Sequence, residues 1–368
     1  MRNLNVWQAA KLVPFGRKNL SELTVITTSA CNFRCRHCFM IDELNKRAPE
    51  LTADEMFRMG RHMPKMRRVH LGGGEPFARP NIKDKSLVAS NEWHSEVVCI
   101  PTNGWYTKNI LKTIEAFGAN AKGQLRIHFS LNTLPQDMDA FTGVKGSFLR
   151  WRESIRDAID LANQYSNVTV LCLATFNEDS KAVFAELKDY VVNEIKPHDF
   201  SMQLAREHEN YRTDYDTDDF DDVVRDYFRN DSRQPWYLTA YRELIREHAS
   251  ACKKDPGNLP HCSSGTTRLV IAPNGDVYPC ESKGYPNGRD YVHWRMGNVR
   301  DFDFNIKALM ESPGARSVRQ RMAAETCSCQ HGIDIALNLL SSPKFQAKVV
   351  MRGLTHATHR TFPHKGKT

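Results

Sequence analysis

Short apolar runs alternate with helix-length amphipathic stretches along the first 205 residues. The runs are LTVITT (23–28), RVHLGG (68–73), EVVCIPT (96–102), LRIHFSLN (125–132), VTVLCLATFN (168–177) and FSMQLA (200–205). One helical stretch opens with the capping box Thr52-Ala-Asp-Glu55, and others cover roughly 106–118, 147–165 and 179–195. Six strands each followed by a helix predict an α/β unit of parallel strands joined by crossovers. A doubly wound sheet and a barrel both satisfy that rhythm. The fourth run separates them. Arg126, His128, Ser130 and Asn132 share one face, and Ile127, Phe129 and Leu131 the other. A strand sandwiched between helix layers is apolar on both faces. A barrel with a polar cavity explains the wet face, as an edge strand also would.

After residue 206 the rhythm changes. The stretch 207–222 carries eight acids, and a helical segment near 218–230 follows on from it. From about 251 the chain is richer in Cys, Gly and Pro. IAPNGDVYPC (271–280) predicts a hairpin around Asn274-Gly275. These shifts divide the chain into an N-terminal extension (1–21), the βα unit (22–206), an acidic helical linker (207–250), a small second domain (251–335) and a basic tail (336–368).

Forty per cent of the 368 residues are apolar and 26% charged, as in globular proteins. No uncharged apolar run reaches 18 residues, so no membrane span is indicated. The N-terminus lacks the apolar core and cleavage site of a secretory signal, and a cytoplasmic location is expected. The net charge is +8, with six Lys/Arg and no acid in the last 34 residues. A solvated basic tail is the plain reading, and contact with an anionic membrane surface the sharper one. No groove interleaves aromatic with basic residues, so nucleic acid is not an expected partner.

Ten cysteines without a secretory signal argue for metal or redox work rather than disulfides. Residues 31–39 read CNFRCRHCF. A structural zinc site needs four protein ligands. Cys31, Cys35 and Cys38 offer three, and His37, adjacent to Cys38, points away from it. A four-iron cubane held by three thiolates leaves one iron open to an outside ligand. A loop at the carboxyl end of a first parallel strand is where barrel active sites form.

The motif Cys31-x-x-x-Cys35-x-x-Cys38, flanked by Phe33 and Phe39, resembles the cluster loop of the radical S-adenosylmethionine (radical SAM) superfamily. That resemblance implies a partial (β/α)6 TIM-like barrel over 22–206. It implies a [4Fe-4S] cluster whose open iron binds SAM, and reductive cleavage of SAM to a 5′-deoxyadenosyl radical that abstracts a hydrogen atom. Gly72-Gly73-Gly74-Glu75-Pro76 resembles the family's glycine-rich segment beside the methionine amine. Asn103, Ser130, Asn132, Asn177 and Arg206, each at a strand end, are the further cofactor-binding candidates; an ordinary turn or cap is the alternative for each. Arg126, His128 and Cys99, deeper in the barrel, are candidates for substrate contact or catalysis, with structural roles as the alternative.

Cys262, Cys280, Cys327 and Cys329, with the hairpin between the first two, resemble the SPASM or Twitch auxiliary-cluster domains. They imply a small α+β domain with one auxiliary [4Fe-4S] cluster. The tight Cys327-Ser-Cys329 spacing leaves His331 and Cys252 as alternatives for the last ligand, and a Cys₄ zinc site satisfies the same count. The expected activity is an oxidation or rearrangement of a small molecule, with a flavodoxin- or ferredoxin-type electron donor. Peptide maturation is the alternative. A non-catalytic electron carrier or a zinc-stabilised binding protein needs no GGGEP segment.

Overall fold

The structure is a computed structural model. It describes residues 19–207, 213–214, 216–230, 235–255, 262–284, 291–325, 327, 329, 331–340 and 342–361. Most of the predicted N-terminal extension, part of the acidic linker and the end of the basic tail lie outside them. The chain divides into two compact units, residues 19–214 with 264–324, and residues 215–263 with 325–368 and the N-terminal segment.

In the larger unit the six predicted runs are six parallel strands. They are β1 (Glu22–Ile26), β2 (Arg68–Gly72), β3 (Val97–Thr102), β4 (Gln124–Ser130), β5 (Val168–Phe176) and β6 (Asp199–Leu204). Each pairs with the next. Helices α1 (Ala53–Gly60), α2 (Ile82–Asn91), α3 (Thr107–Asn120), α4 (Met138–Thr142), α5 (Ser147–Ala162) and α6 (Phe184–Tyr190) lie between them. The Thr52–Glu55 capping box forms as expected. The helix read over 179–195 is broken: α6 runs into a π turn, Val191–Ile195, closed by left-handed Lys196. No sequence pattern announces α2, because Lys85, Ser86, Ala89 and Ser90 make up most of its buried face.

The sequence IAPNGDVYPC is a hairpin, and it builds onto the main sheet. Strand β7 (Arg268–Ile271) pairs parallel to β1, and β8 (Asp276–Tyr278) returns antiparallel to it. Gly275, at φ 87°, ends a three-residue loop whose amide bonds back to Ala272. With β9 (Gly297–Asn298) the sheet order is β6-β5-β4-β3-β2-β1-β7-β8-β9.

The sheet is curled. Arg268 on β7 meets Glu281 at 2.6 Å, and Glu281 lies 3.4 Å from Arg206, two residues beyond β6. In a flat sheet the six steps from β6 to β7 would separate them by ~29 Å, too far for an Arg–Glu–Arg bridge. This is the partial barrel of the expectation. On β4, Leu125, Ile127 and Phe129 are sealed against the helices, while Arg126 is exposed and His128 and Ser130 half-buried on the concave face.

Beyond the barrel come α7 (Asp218–Asn230) and α8 (Trp236–Lys254) in the smaller unit. Next are α9 (Ile306–Glu311) and α10 (Pro313–Ala324) in the larger, and α11 (Gly332–Leu340) and α12 (Pro343–Thr361) in the smaller. The stretch read as a basic tail is therefore helical through Thr361. Its Arg352 and His356 pair with fully buried Glu243 of α8 at 2.8 and 2.6 Å. No described helix is long and apolar enough to cross a membrane.

Thr52→Ala removes the oxygen that caps α1. It should lower the unfolding free energy by about 1 kcal/mol, read as a lower denaturant midpoint at unchanged slope.

Candidate active site

The thiol loop leaves β1 and is held by its neighbours' side chains. The Cys31 amide donates to Asn45 Oδ1 at 3.0 Å, and Asn45 Nδ2 donates to the Cys31 carbonyl at 3.1 Å. Asn45 adopts φ 62°, a left-handed conformation that Asn tolerates. Arg34 Nη1 donates to the carbonyls of Cys31 and Phe33. Phe33 is buried, edge-on to Trp105. Cys38 and Phe39 pack against the cluster of Ile26, Met40, Val270, Ala272 and Tyr278, so the hairpin supports the loop directly. His37 stacks on Phe141, with 5.2 Å between ring centroids.

Burial pushes the Cys31 thiol up to about 12, and Glu75 and Cys38 add to the rise. Cys35 is raised by burial first and then by the charge of Cys38 and Cys31. Burial likewise raises Cys38. Three thiols that oppose one another's ionisation need a cationic partner to become thiolates. Among the described residues no three His, Cys, Asp or Glu side chains close around a point as one mononuclear ion requires. Thiolates on three different irons of a cubane stand farther apart than that.

The glycine segment locks to this loop. A Cβ on Gly73 would collide with the Thr28 carbonyl, and one on Gly74 would come to 2.5 Å from the Ala30 carbonyl. That closeness lets Gly74 N bond Thr28 O at 2.9 Å and Glu75 N bond Ala30 O at 2.7 Å. Gly72 differs: it is buried, yet a Cβ there would meet nothing within 4 Å. Glu75 is 1% exposed. It accepts from Phe77 N at 3.0 Å, Thr102 Oγ1 at 2.9 Å and Asn103 N at 2.6 Å. Burial pushes its carboxyl from 4.5 up to about 7 against the pull of those donors. Asn103 Nδ2 then donates to Asn32 Oδ1 at 2.9 Å and lies 4.0 Å from Cys31 Sγ. Three strand-end loops thus meet in one hydrogen-bonded network.

The remaining strand-end candidates divide. Ser130 is half-buried on the concave face. Asn132 Oδ1 accepts from Thr175 N at 3.0 Å. Asn177 is fully buried; its Nδ2 donates to the carbonyls of Asn132 and Thr175, and its Oδ1 accepts from Asp179 N. Asn177 therefore clamps the ends of β4 and β5 together. Arg206 lies over the Phe39 ring at 4.5 Å. Cys99 registers with His70 and Arg126, on the polar face.

Of the second cysteine group, Cys280 lies in the larger unit, and Cys262, Cys327 and Cys329 in the smaller. Cys280 is buried and its sulfur accepts from Lys283 N at 3.4 Å. Ser263, next to Cys262, donates to Asn338 of α11 through both N and Oγ at 2.8 Å. His331 Nδ1 sits 2.6 Å from Asp334 Oδ2. Such a carboxylate fixes the ring orientation of metal-ligating histidines. Cys252 is buried in α8, and burial pushes its thiol up to about 11.

Residues 25–187 match the model of the Radical SAM superfamily, and residues 262–331 that of an iron–sulfur cluster-binding domain, SPASM. The chain carries a radical SAM domain followed by a SPASM domain. Among curated relatives, GTP 3′,8-cyclase of Syntrophomonas wolfei is 25% identical over 175 residues, 46% of this chain and 52% of that protein. Human molybdenum cofactor biosynthesis protein 1 is 29% identical over 180 residues, 48% of this chain and 27% of that protein. The chain thus spans about half, or less, of those relatives. Among solved structures, SuiB of Streptococcus suis superposes with TM-score 0.58 at 21% identity, covering 82% of this chain and 68% of SuiB. The AdoMet-bound anSMEcpe superposes with TM-score 0.56 at 15% identity, covering 93% and 94%. These likenesses show the fold.

A radical SAM domain followed by a SPASM domain implies a [4Fe-4S] cluster with SAM and an auxiliary cluster. The residues present fit the first: three free thiols lie on one loop after β1, and Gly72, at the end of the neighbouring strand β2, leaves open space. Sequence reasoning missed His70, Arg268 and Glu281. His70 shares the polar face with Gly72 at spacing two, a readable signal. Arg268 becomes conspicuous only through its burial.

Gly74→Ala should destabilise the protein by about 1–3 kcal/mol through overpacking, measured by urea unfolding. Glu75 binds its proton more tightly folded than unfolded. Stability should therefore fall as pH rises from 4.5 to about 7. Glu75→Gln should remove that part of the slope when unfolding free energies at pH 5 and 8 are compared.

Proposed function

We propose that the chain reductively cleaves SAM and directs the resulting radical at a carbon–hydrogen bond of a substrate seated on the concave polar face. The observation that carries this reading is the Glu75–Asn103–Asn32 network, which ties the loop of Cys31, Cys35 and Cys38 to the ends of β2 and β3, with open space at Gly72 on β2. A cluster held by those thiols supplies the electron that breaks the sulfonium bond of SAM. The chain's own residues do the rest. Gly72 gives the methionine portion room to approach the backbone. Ser130 offers a hydroxyl at the end of β4. Phe33, Trp105 and Phe39 shield the loop from water.

In this reading the SPASM-matching segment 262–331 holds the auxiliary cluster, with Cys280 among its ligands. Such a cluster would supply an acceptor for the substrate's electron in a net two-electron oxidation, with a flavodoxin- or ferredoxin-type protein as the external donor. A small molecule suits a concave polar face. Peptide maturation is a second reading, favoured by neighbours of the same fold solved with peptides: SuiB with its precursor peptide SuiA, and anSMEcpe with two substrate peptides.

Anaerobically reconstituted protein should hold about eight irons and eight sulfides, and on reduction should release 5′-deoxyadenosine from SAM. Cys35→Ala should abolish the release and lose about four irons, whereas Cys280→Ala should keep some of it. Full cleavage by Cys35→Ala, or zinc in place of iron, would overturn the reading. Gly72→Ala should keep its stability within about 0.5 kcal/mol but bind SAM about tenfold or more weakly in equilibrium dialysis.

A further inference from the structure

The sulfur of Cys31 is approached from two directions. Phe33 N, on the same loop, donates to it at 3.4 Å. Asn103 Nδ2 reaches it at 4.0 Å from the end of β3, 72 residues away in sequence. The Cys31 amide and carbonyl are both taken by the Asn45 side chain, at 3.0 and 3.1 Å, so its backbone is already held without Asn103.

The orientation of the Asn103 amide follows from its neighbours. Trp105 N donates to Asn103 Oδ1 at 3.0 Å, which puts Nδ2 on the opposite edge. Asn103 N donates to Glu75 Oε2 at 2.6 Å and anchors the residue. A side-chain amide nitrogen carries two hydrogens. Nδ2 spends one on Asn32 Oδ1 at 2.9 Å and has the other for Cys31 Sγ. Because Asn32 accepts through Oδ1, its own Nδ2 is left as a donor. That atom is shielded from solvent and makes no hydrogen bond within the described residues. A shielded donor without an acceptor costs free energy. A relay built only to hold loops together would end on a protein acceptor. This one ends on an open donor, on the residue next to Cys31.

We propose that the side-chain amides of Asn103 and Asn32 are hydrogen-bond donors to the iron–sulfur cluster of the thiol loop, Asn103 through the Cys31 sulfur and Asn32 through a sulfide, and that they raise its reduction potential. The inference rests on the reading that Cys31, Cys35 and Cys38 hold that cluster, and it deepens it. Hydrogen bonds to the sulfurs are among the levers that set a cluster's potential. Reduction adds negative charge, so a donor aimed at sulfur favours the reduced form. A thiolate is also a stronger acceptor than a thiol, and charge-assisted bonds are shorter. Asn103 was expected to contact SAM; the geometry directs its amide to Cys31 and Asn32 instead.

The test uses the full chain, anaerobically reconstituted, with ¹⁵N in the side chains of asparagine only. The loop cluster is the one whose reduced EPR spectrum changes when unlabelled SAM is added. In wild type, pulsed EPR of the reduced protein should detect ¹⁵N coupled to that cluster. Asn103→Leu and Asn32→Leu should each weaken the coupling and lower the midpoint potential. For Asn103→Leu the expected shift is about 59 mV, a tenfold change in the ratio of reduced to oxidised cluster for one electron. Asn45→Gly frees the Cys31 backbone but leaves both donors, and should keep the coupling and the potential. It separates a lost donor from a loosened loop. Two results overturn the inference: wild type without ¹⁵N coupling, which needs no variant to fold, or both leucine variants with the coupling and potential of wild type. Iron and sulfide are counted in the same samples. A thiol loop that binds no iron sinks the cluster reading and this inference with it; a loop cluster without ¹⁵N coupling sinks this inference alone.

Discussion

One buried carboxylate organises the site. Glu75 is out of water, with hydrogen-bond donors rather than a cation beside it. Stripping a carboxylate of water costs several kcal/mol, and three donors at 2.6 to 3.0 Å offset much of that. Two of those donors, Thr102 Oγ1 and Asn103 N, belong to the end of β3, so Glu75 holds the β2 and β3 ends in register. Asn103 passes the constraint to Asn32 and Cys31. A loop without helix or strand thereby acquires a fixed shape. The glycines complete the arrangement, since side chains at 73 or 74 would push the β1 and β2 loops apart.

Curvature and charge are linked on the concave face. Alternation along β4 sends apolar side chains to the helices and polar ones inward. Curling the sheet then crowds those polar groups together. Glu281 lies among the crowd and joins Arg268 beside β1 to Arg206 beyond β6. That one carboxylate bridges two cations and so closes the open side of the curl.

Much of this was legible from residue patterns. Period-two alternation in 125–132 revealed the wet inner face, and the spacing of Cys31, Cys35 and Cys38 marked a loop at the end of β1 that its neighbours hold in place. Asn274-Gly275 revealed the hairpin. Its partner was hidden, because β7 pairs with a strand some 245 residues away in sequence, and no local signal encodes such a register. Helix α2 stayed hidden because its buried face is small and polar. Asn177 and Asn132 sit where ligand contacts were expected, yet their amides clamp strand ends, and residue type at a strand end does not distinguish the two uses. His70 was readable in principle, since it shares parity with Gly72.

The position of β7 has a consequence for how the two cluster regions communicate. The SPASM-matching segment begins at 262, but its first hairpin is hydrogen-bonded to β1, the strand that delivers Cys31. The same hairpin supplies Val270, Ala272 and Tyr278 to the pocket under Cys38 and Phe39, and it leads directly into Cys280. Glu281, the next residue, holds Arg206 above Phe39. Any shift of the Cys280 backbone is therefore transmitted through packed side chains and one ion pair to the first thiol loop. In close-packed structure such a shift cannot be absorbed locally. Cys280 and the loop of Cys31, Cys35 and Cys38 are mechanically one piece.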